Sequence, residues 1–128
     1  DKKATDIDYN AALDFILENI SFFSLVAGTH NEESSMILTN SLEKHAIDKN
    51  DPRIYFAQLL GMSDHISFNL AHNGYNVAKY VPFGPVKEVM PYLLRRADEN
   101  TSVAGQTGRE LGLIKKELKD RKIREKSS

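Results

Sequence analysis

Lys79-Tyr80-Val81-Pro82-Phe83-Gly84-Pro85, followed shortly by Tyr92-Leu93-Leu94-Arg95-Arg96-Ala97-Asp98-Glu99-Asn100, reads as a buried strand delivering an aromatic and then a helix delivering two adjacent guanidinium groups. The strand is expected over Val77 to Val81 and the helix over Val86 to Glu99, with Pro91 kinking or restarting it. Pro82, Gly84 and Pro85 stiffen and turn the connection between them. A strand and the helix that follows it make one βα unit.

The same alternation appears twice more on the N-terminal side. Asp51-Pro52 breaks the chain before a strand over Ile54–Leu59, which leads to a weaker helix over Met62–His72 and a turn at Asn73-Gly74. Upstream, Phe22–Ala27 is a short apolar run of the kind that fills a parallel strand covered on both faces, and Gly28 ends it. Glu32 to Ala46 then reads as a helix with Met36, Ile37, Leu38 and Leu42 inward. A leading amphipathic helix begins near Asp6, with Asp8 available as a cap, Tyr9, Leu13, Ile16, Leu17 and Ile20 at helical spacing, and Glu18 and Asn19 near its end.

Strands alternating with helices imply parallel pairing with right-handed crossovers. An eight-stranded barrel of such units takes roughly 250 residues. The 128 residues here, holding three βα units between a leading and a trailing helix, are therefore expected to form an α/β fold that is the C-terminal portion of a (β/α)8 TIM-type barrel. The chain reads as a fragment. Residues 1–103 make up the βα units. Residues 104–128 form a second segment, with a polar stretch around Gly105, Gly108 and Gly112, then a charged helix from Glu110 to Arg124 whose apolar positions are Leu111, Leu113, Ile114 and Leu118.

Composition removes several function classes. The net charge of −1, from 17 basic and 18 acidic residues, provides no global field for nucleic acid, so any anion site is local. There are no cysteines, which excludes disulfides, thiolate nucleophiles and cysteine zinc sites. No apolar run approaches the ~20 residues of a membrane span. His45, His65 and His72 lack partners at metal-ligand spacing, and no Walker loop, dinucleotide fingerprint or nucleophile elbow is present.

In parallel βα proteins functional groups collect where strands end. The first strand ends in Gly28-Thr29-His30-Asn31, a hydroxyl, an imidazole and an amide just before a helix N-terminus that favours anions. The second ends in Gln58-Leu59-Leu60-Gly61-Met62, mainly apolar surface. Tyr80 closes the third. Arg95 and Arg96 together can hold one carboxylate, since each presents a planar fork of donors. Glu99 lies at helical spacing to orient a guanidinium, and Tyr92 shares a face with both arginines. Read from residues alone, the arginine helix also suits a non-catalytic anion-binding or interaction module.

At these residues the chain resembles the C-terminal part of the proline dehydrogenase family, which shares the tyrosine-bearing strand and the Tyr-Leu-x-Arg-Arg-x-x-Glu-Asn helix. Ala27-Gly28-Thr29-His30-Asn31 and Gln58-Leu59-Leu60-Gly61-Met62 extend the likeness in the same order, over nearly the whole of Asp1 to Arg121. Another flavin barrel, such as a methylenetetrahydrofolate reductase, would not explain the arginine helix. The resemblance implies FAD-dependent oxidation of L-proline to 1-pyrroline-5-carboxylate, with electrons passing to a quinone and with this fragment inactive alone. It implies Thr29 and His30 as FAD contacts. Leu59 and Tyr80 would pack the substrate ring, with Tyr80 the catalytic-site aromatic, and Arg95 and Arg96 would bind the substrate carboxylate, supported by Tyr92 and Glu99. It further implies peripheral membrane association, a pyrroline-5-carboxylate dehydrogenase as partner and no nucleic acid. The expected location is the cytoplasm or inner-membrane periphery in a bacterium and the mitochondrion in a eukaryote.

Overall fold

The computed structural model describes residues 1–102 and, beyond them, 111–112, 115–116, 118–119 and 122. Strands and helices alternate along the chain: α1 (Lys2–Glu18), β1 (Leu25–Gly28), α2 (Glu32–Lys44), β2 (Ile54–Leu59), α3 (Asp64–His72), β3 (Val77–Tyr80) and α4 (Val86–Ser102). The three strands form one parallel sheet in the order β1-β2-β3. The chain divides into two compact units, Asp1–Tyr80 and Val81–Ser128.

Register fixes which residues share a sheet face. Leu25 pairs with Ile54 and Ala27 with Phe56, while Phe56 pairs with Val77 and Gln58 with Lys79. These residues project to one side, where they meet Leu13 and Leu17 of α1, Leu38 and Leu42 of α2, and Ile66 and Leu70 of α3 in a single core. Phe56 and Ile54 are each only 1% exposed, and Tyr75 lies edge-on to Phe56 with ring centroids 5.5 Å apart. Burying each such side chain contributes about 1.5–3 kcal/mol. All three helices of the first unit thus cover the same face, and the strands follow one another in sequence order. That is singly wound topology, in which every crossover runs the same way.

The opposite face holds Val26, Tyr55, Ala57, Leu59, Ala78 and Tyr80 by the alternation of the strands. It is open: Val26 is 65% exposed and Tyr80 55%. Within this chain the first strand is thus covered on one face only, where its apolar run reads as covered on both. The strand is also shorter than expected, starting at Leu25, because the chain is still turning at Phe22, whose N–H donates to the Asn19 carbonyl at 2.9 Å. Phe22 is exposed, and the Phe23 ring lies 6.3 Å from that of Phe15 on α1.

The helices differ from expectation at their ends and on one face. α1 begins at Lys2, earlier than expected, and is capped by Asp1, whose carboxylate accepts from Lys3 N–H, in place of Asp8; its first turns are exposed and carry no apolar period that would mark the start. Met36 is exposed. Serines occupy the inner positions beside Leu38 and Leu42 instead, with Ser34, Ser35 and Ser41 all buried. Ser41 donates to Asp14 at 2.7 Å, which ties α2 to α1. α4 continues through Pro91 without interruption. Of the expected charged helix over 110–124, Leu113 and Ile114 lie outside the described residues, while Leu111 and Leu118 are exposed.

Where β2 begins, the Asp51 carboxylate takes both Nε and Nη2 of Arg53, at 2.9 and 2.6 Å, while Arg53 Nη1 donates to the Ile20 carbonyl. The Arg53 side-chain hydrogen bonds, assisted by the Arg53 backbone N–H, lower the Asp51 pKa from 3.8 to about 2. A carboxyl depressed in the folded state contributes stability above its unfolded pKa and loses it as pH falls through the folded value. Asp51→Asn is therefore expected to destabilise the protein modestly at pH 6, since solvent screens a pair whose arginine is exposed. The gap to wild type should narrow from pH 4 to pH 2 in urea titrations. A gap that stays constant over that range would show that the pair is not what lowers Asp51.

Candidate functional site

The three strands end at one level. Thr29 follows β1, Leu59 is the last residue of β2, and Tyr80, its register partner, is the last of β3. Leu60 N–H donates to the Tyr80 carbonyl at 3.0 Å, which prolongs the ladder past the strand ends. Leu59 and Tyr80 stand side by side on the open face, one half-buried and the other exposed. Gly61 then turns the chain at φ 77°, a conformation that L side chains disfavour.

Thr29 and His30 form the polar side of this mouth. Both are half-buried. Thr29 Oγ1 accepts from Asn31 N–H at 3.0 Å, and His30 Nδ1 lies 2.8 Å from Ser63 Oγ. Asn31 does not reach outward as the sequence had suggested. Its side-chain oxygen accepts from Glu33 and Ser34 N–H and caps α2, and Glu32 and Glu33 fill the first turn. The anion preference of that helix start is thus largely answered by the chain's own groups.

Three residues that pattern reading passed over organise this mouth. Gln58, 2% exposed on the covered face, donates from Nε2 to the Thr29 carbonyl at 3.2 Å and accepts from Ser67 Oγ at 2.8 Å. Lys79 lies on the same face. Its ammonium donates to the Met62 carbonyl at 2.8 Å and pairs with Asp64 at 2.8 Å, holding the loop that carries Gly61. Ser63 is the third. A glutamine and a lysine at alternate positions of apolar strands mark such inward polar roles, whereas Ser63 has no local signature.

In the second unit, α4 presents Tyr92, Arg95 and Arg96. The Arg96 guanidinium sits over the Tyr92 ring, 5.4 Å from its centroid, the contact that one helical turn permits. Arg96 is half-buried and Arg95 exposed. Tyr92 therefore engages Arg96, not the two arginines equally. Glu99 belongs to α4, but its side chain lies outside the described residues. The site residues accordingly fall into two sets, Thr29, His30, Leu59 and Tyr80 in the first unit and Tyr92, Arg95 and Arg96 in the second.

Comparison with known proteins bears on this arrangement. The family model described as proline dehydrogenase matches residues 1–109. The chain is 44% identical over 122 residues to proline dehydrogenase 1, mitochondrial, of Dictyostelium discoideum, covering 91% of this chain and 21% of that protein. It is 41% identical to the hydroxyproline dehydrogenase of Xenopus laevis, covering 94% of this chain and 27% of that one. Among solved structures it is similar to proline utilization A from Bdellovibrio bacteriovorus inactivated by N-propargylglycine. The TM-score is 0.73 and the identity 32%, over 81% of this chain and 11% of the other. The chain spans between a fifth and just over a quarter of the length of these two curated relatives.

Proposed function

The chain belongs to the proline dehydrogenase family, and from that premise we propose that it is the C-terminal portion of an FAD-dependent catalytic domain that oxidises L-proline to 1-pyrroline-5-carboxylate and passes the electrons to a quinone. The observation that carries this reading is the common level of Thr29, Leu59 and Tyr80 at the C-terminal ends of three consecutive parallel strands, the end at which βα folds bind ligands. The singly wound sheet, with helices on one face and apolar side chains on the other, is the arc of a (β/α)8 barrel whose interior is that open face. The remaining strands belong to the parts of the relatives that this chain does not span.

Each residue then has a physical task. Leu59 and Tyr80 supply apolar surface for the methylenes of a pyrrolidine ring and keep water from it. Arg95 and Arg96 pair with the carboxylate, Arg96 steadied by the Tyr92 ring and a guanidinium oriented by Glu99. Thr29 and His30 fit a flavin by their chemistry, a hydroxyl and an imidazole beside an apolar face that suits an aromatic ring system. When bound, FAD supplies the hydride acceptor. A quinone acceptor requires contact with a membrane surface, which we assign to peripheral association, in the mitochondrion in a eukaryote or from the cytoplasm at the inner membrane in a bacterium. Among the described residues no helix is long and apolar enough to cross one. The product's consumer is a pyrroline-5-carboxylate dehydrogenase.

The test is spectroscopic. Full-length protein is expected to purify yellow and to bleach under anaerobic conditions on addition of L-proline, with 4-hydroxy-L-proline run in parallel because one relative is named for it. A colourless protein that cannot be reconstituted with FAD overturns the reading. Bleaching by the hydroxylated substrate alone overturns the substrate assignment.

A further inference from the structure

Ser63 combines features that ordinary packing does not call for. It stands at the N-cap of α3, where a serine normally turns its hydroxyl onto the helix N–H groups, yet it makes no side-chain capping bond. Its backbone sits at φ 51° and ψ 41°, in the left-handed region that residues with a Cβ disfavour, although it is only 4% exposed. In this conformation the hydroxyl lies 2.8 Å from Nδ1 of His30, thirty-three residues earlier at the neighbouring strand end. The arrangement is braced from behind. The Ser63 carbonyl accepts from Ile66 and Ser67 N–H at 3.0 and 3.2 Å, and Ser67 in turn donates to Gln58, which holds the Thr29 carbonyl. A strained backbone held in place by its surroundings points to a role for the group that it aims.

A hydroxyl can donate to an imidazole nitrogen or accept from it, and because a neutral imidazole keeps one proton, the sense of that bond decides which nitrogen carries it. We propose that Ser63 is a positioning residue: its hydroxyl donates to His30 Nδ1, so that the imidazole retains its proton on Nε2 and offers an N–H donor at the strand mouth. On the reading above, to which this inference is tied, that donor serves the flavin. The serine's strained backbone is then the means by which a residue in the β2–α3 loop reaches a histidine in the β1–α2 loop.

Ser63→Gly separates this role from a structural one. Glycine adopts a positive φ readily, so the variant removes the hydroxyl while relieving the backbone, and its thermal midpoint should match or exceed that of wild type. Ser63→Ala removes the hydroxyl and keeps the strain. The full-length protein, labelled with 15N at histidine and assigned by loss of the His30 signals in His30→Ala, is expected to show the Nε2–H tautomer for His30. Both Ser63 variants should shift it toward a mixture and weaken FAD binding about 3–10-fold, the loss of one hydrogen bond's worth of positioning. In the His30→Ala background, Ser63→Gly should change FAD affinity no further. An Nδ1–H tautomer in wild type, an unaltered tautomer in Ser63→Gly, or an equal loss of FAD affinity with and without His30 would each overturn the proposal. A tautomer that responds to Ser63 in a protein that takes up no flavin would uphold the Ser63–His30 coupling and overturn the cofactor role of His30.

Discussion

Replacing Arg95 or Arg96 by methionine in the full-length enzyme is expected to lower kcat/KM for L-proline by about 30-fold to several thousand-fold, the equivalent of roughly 2–5 kcal/mol for leaving one buried charge without its partner. Methionine keeps much of the apolar stem and removes the fork, so the loss reports the charge contact more than packing. Lysine should restore only part of the rate, since a point charge does not reproduce two parallel hydrogen bonds. The structure adds a distinction between the two positions. Arg96 rests on the Tyr92 ring and is half-buried, whereas Arg95 is exposed. Tyr92→Ala should accordingly weaken Arg96's contribution and leave that of Arg95, so that Tyr92→Ala and Arg96→Met together cost less than the sum of the two. Steady-state kinetics with an artificial electron acceptor, with FAD content measured alongside, is the assay. Wild-type kcat/KM in both methionine variants would reduce the pair to a charged helix face and remove the substrate assignment with it.

Phe56→Ala is expected to destabilise the protein by about 3–5 kcal/mol, a large part of the 5–15 kcal/mol by which domains are ordinarily stable. Phe56 lies at the centre of the middle strand, is 1% exposed, and meets Tyr75 edge to face. Its removal leaves a void that α2 and α3 cannot fill without leaving their own contacts with the sheet. Phe56→Leu keeps the apolar character and most of the volume and should cost less than about 1.5 kcal/mol. Urea midpoints of the two variants decide the matter. An alanine variant within 1 kcal/mol of wild type would show that this core collapses freely around the gap.

How much of the fold and the site is legible in the sequence depends on punctuation. β2 was readable residue for residue because Asp51-Pro52 stops the chain before it and the Leu60-Gly61 turn after it, enclosing a short and mostly apolar stretch. β1 was not, since a six-residue run that is apolar at all but Ser24 says nothing about which of them remain in the preceding turn, and Phe22 and Phe23 look as much like strand as Val26 does. The start of α1 was missed for the opposite reason: its exposed first turns carry no period. Serines 34, 35 and 41 concealed the inner face of α2, because small polar residues that let a helix lie close to its neighbours resemble a solvent face in one dimension. At the site, the contact of Tyr92 with Arg96 followed from helical spacing alone. The bond from Ser63 to His30 joins two loops, and nothing local in either sequence announces it.

Gln58 has a consequence for how β2 finds its alignment. Slipping β2 by one residue against its neighbours would turn Ile54 and Phe56 to the open side, and burial of the core forbids it. Slipping it by two preserves the alternation, and apolar side chains alone distinguish the two settings weakly. The glutamine distinguishes them sharply. Carried about 6.6 Å along the strand, its amide would lose both the Thr29 carbonyl and the Ser67 hydroxyl and would lie unsatisfied among apolar groups, at about 1–3 kcal/mol for each orphaned partner. One polar residue at the inner end of an apolar strand therefore works as a key that admits a single offset. The same amide keeps the ledge bearing Leu59 and Tyr80 level with the loop that bears Thr29 and His30.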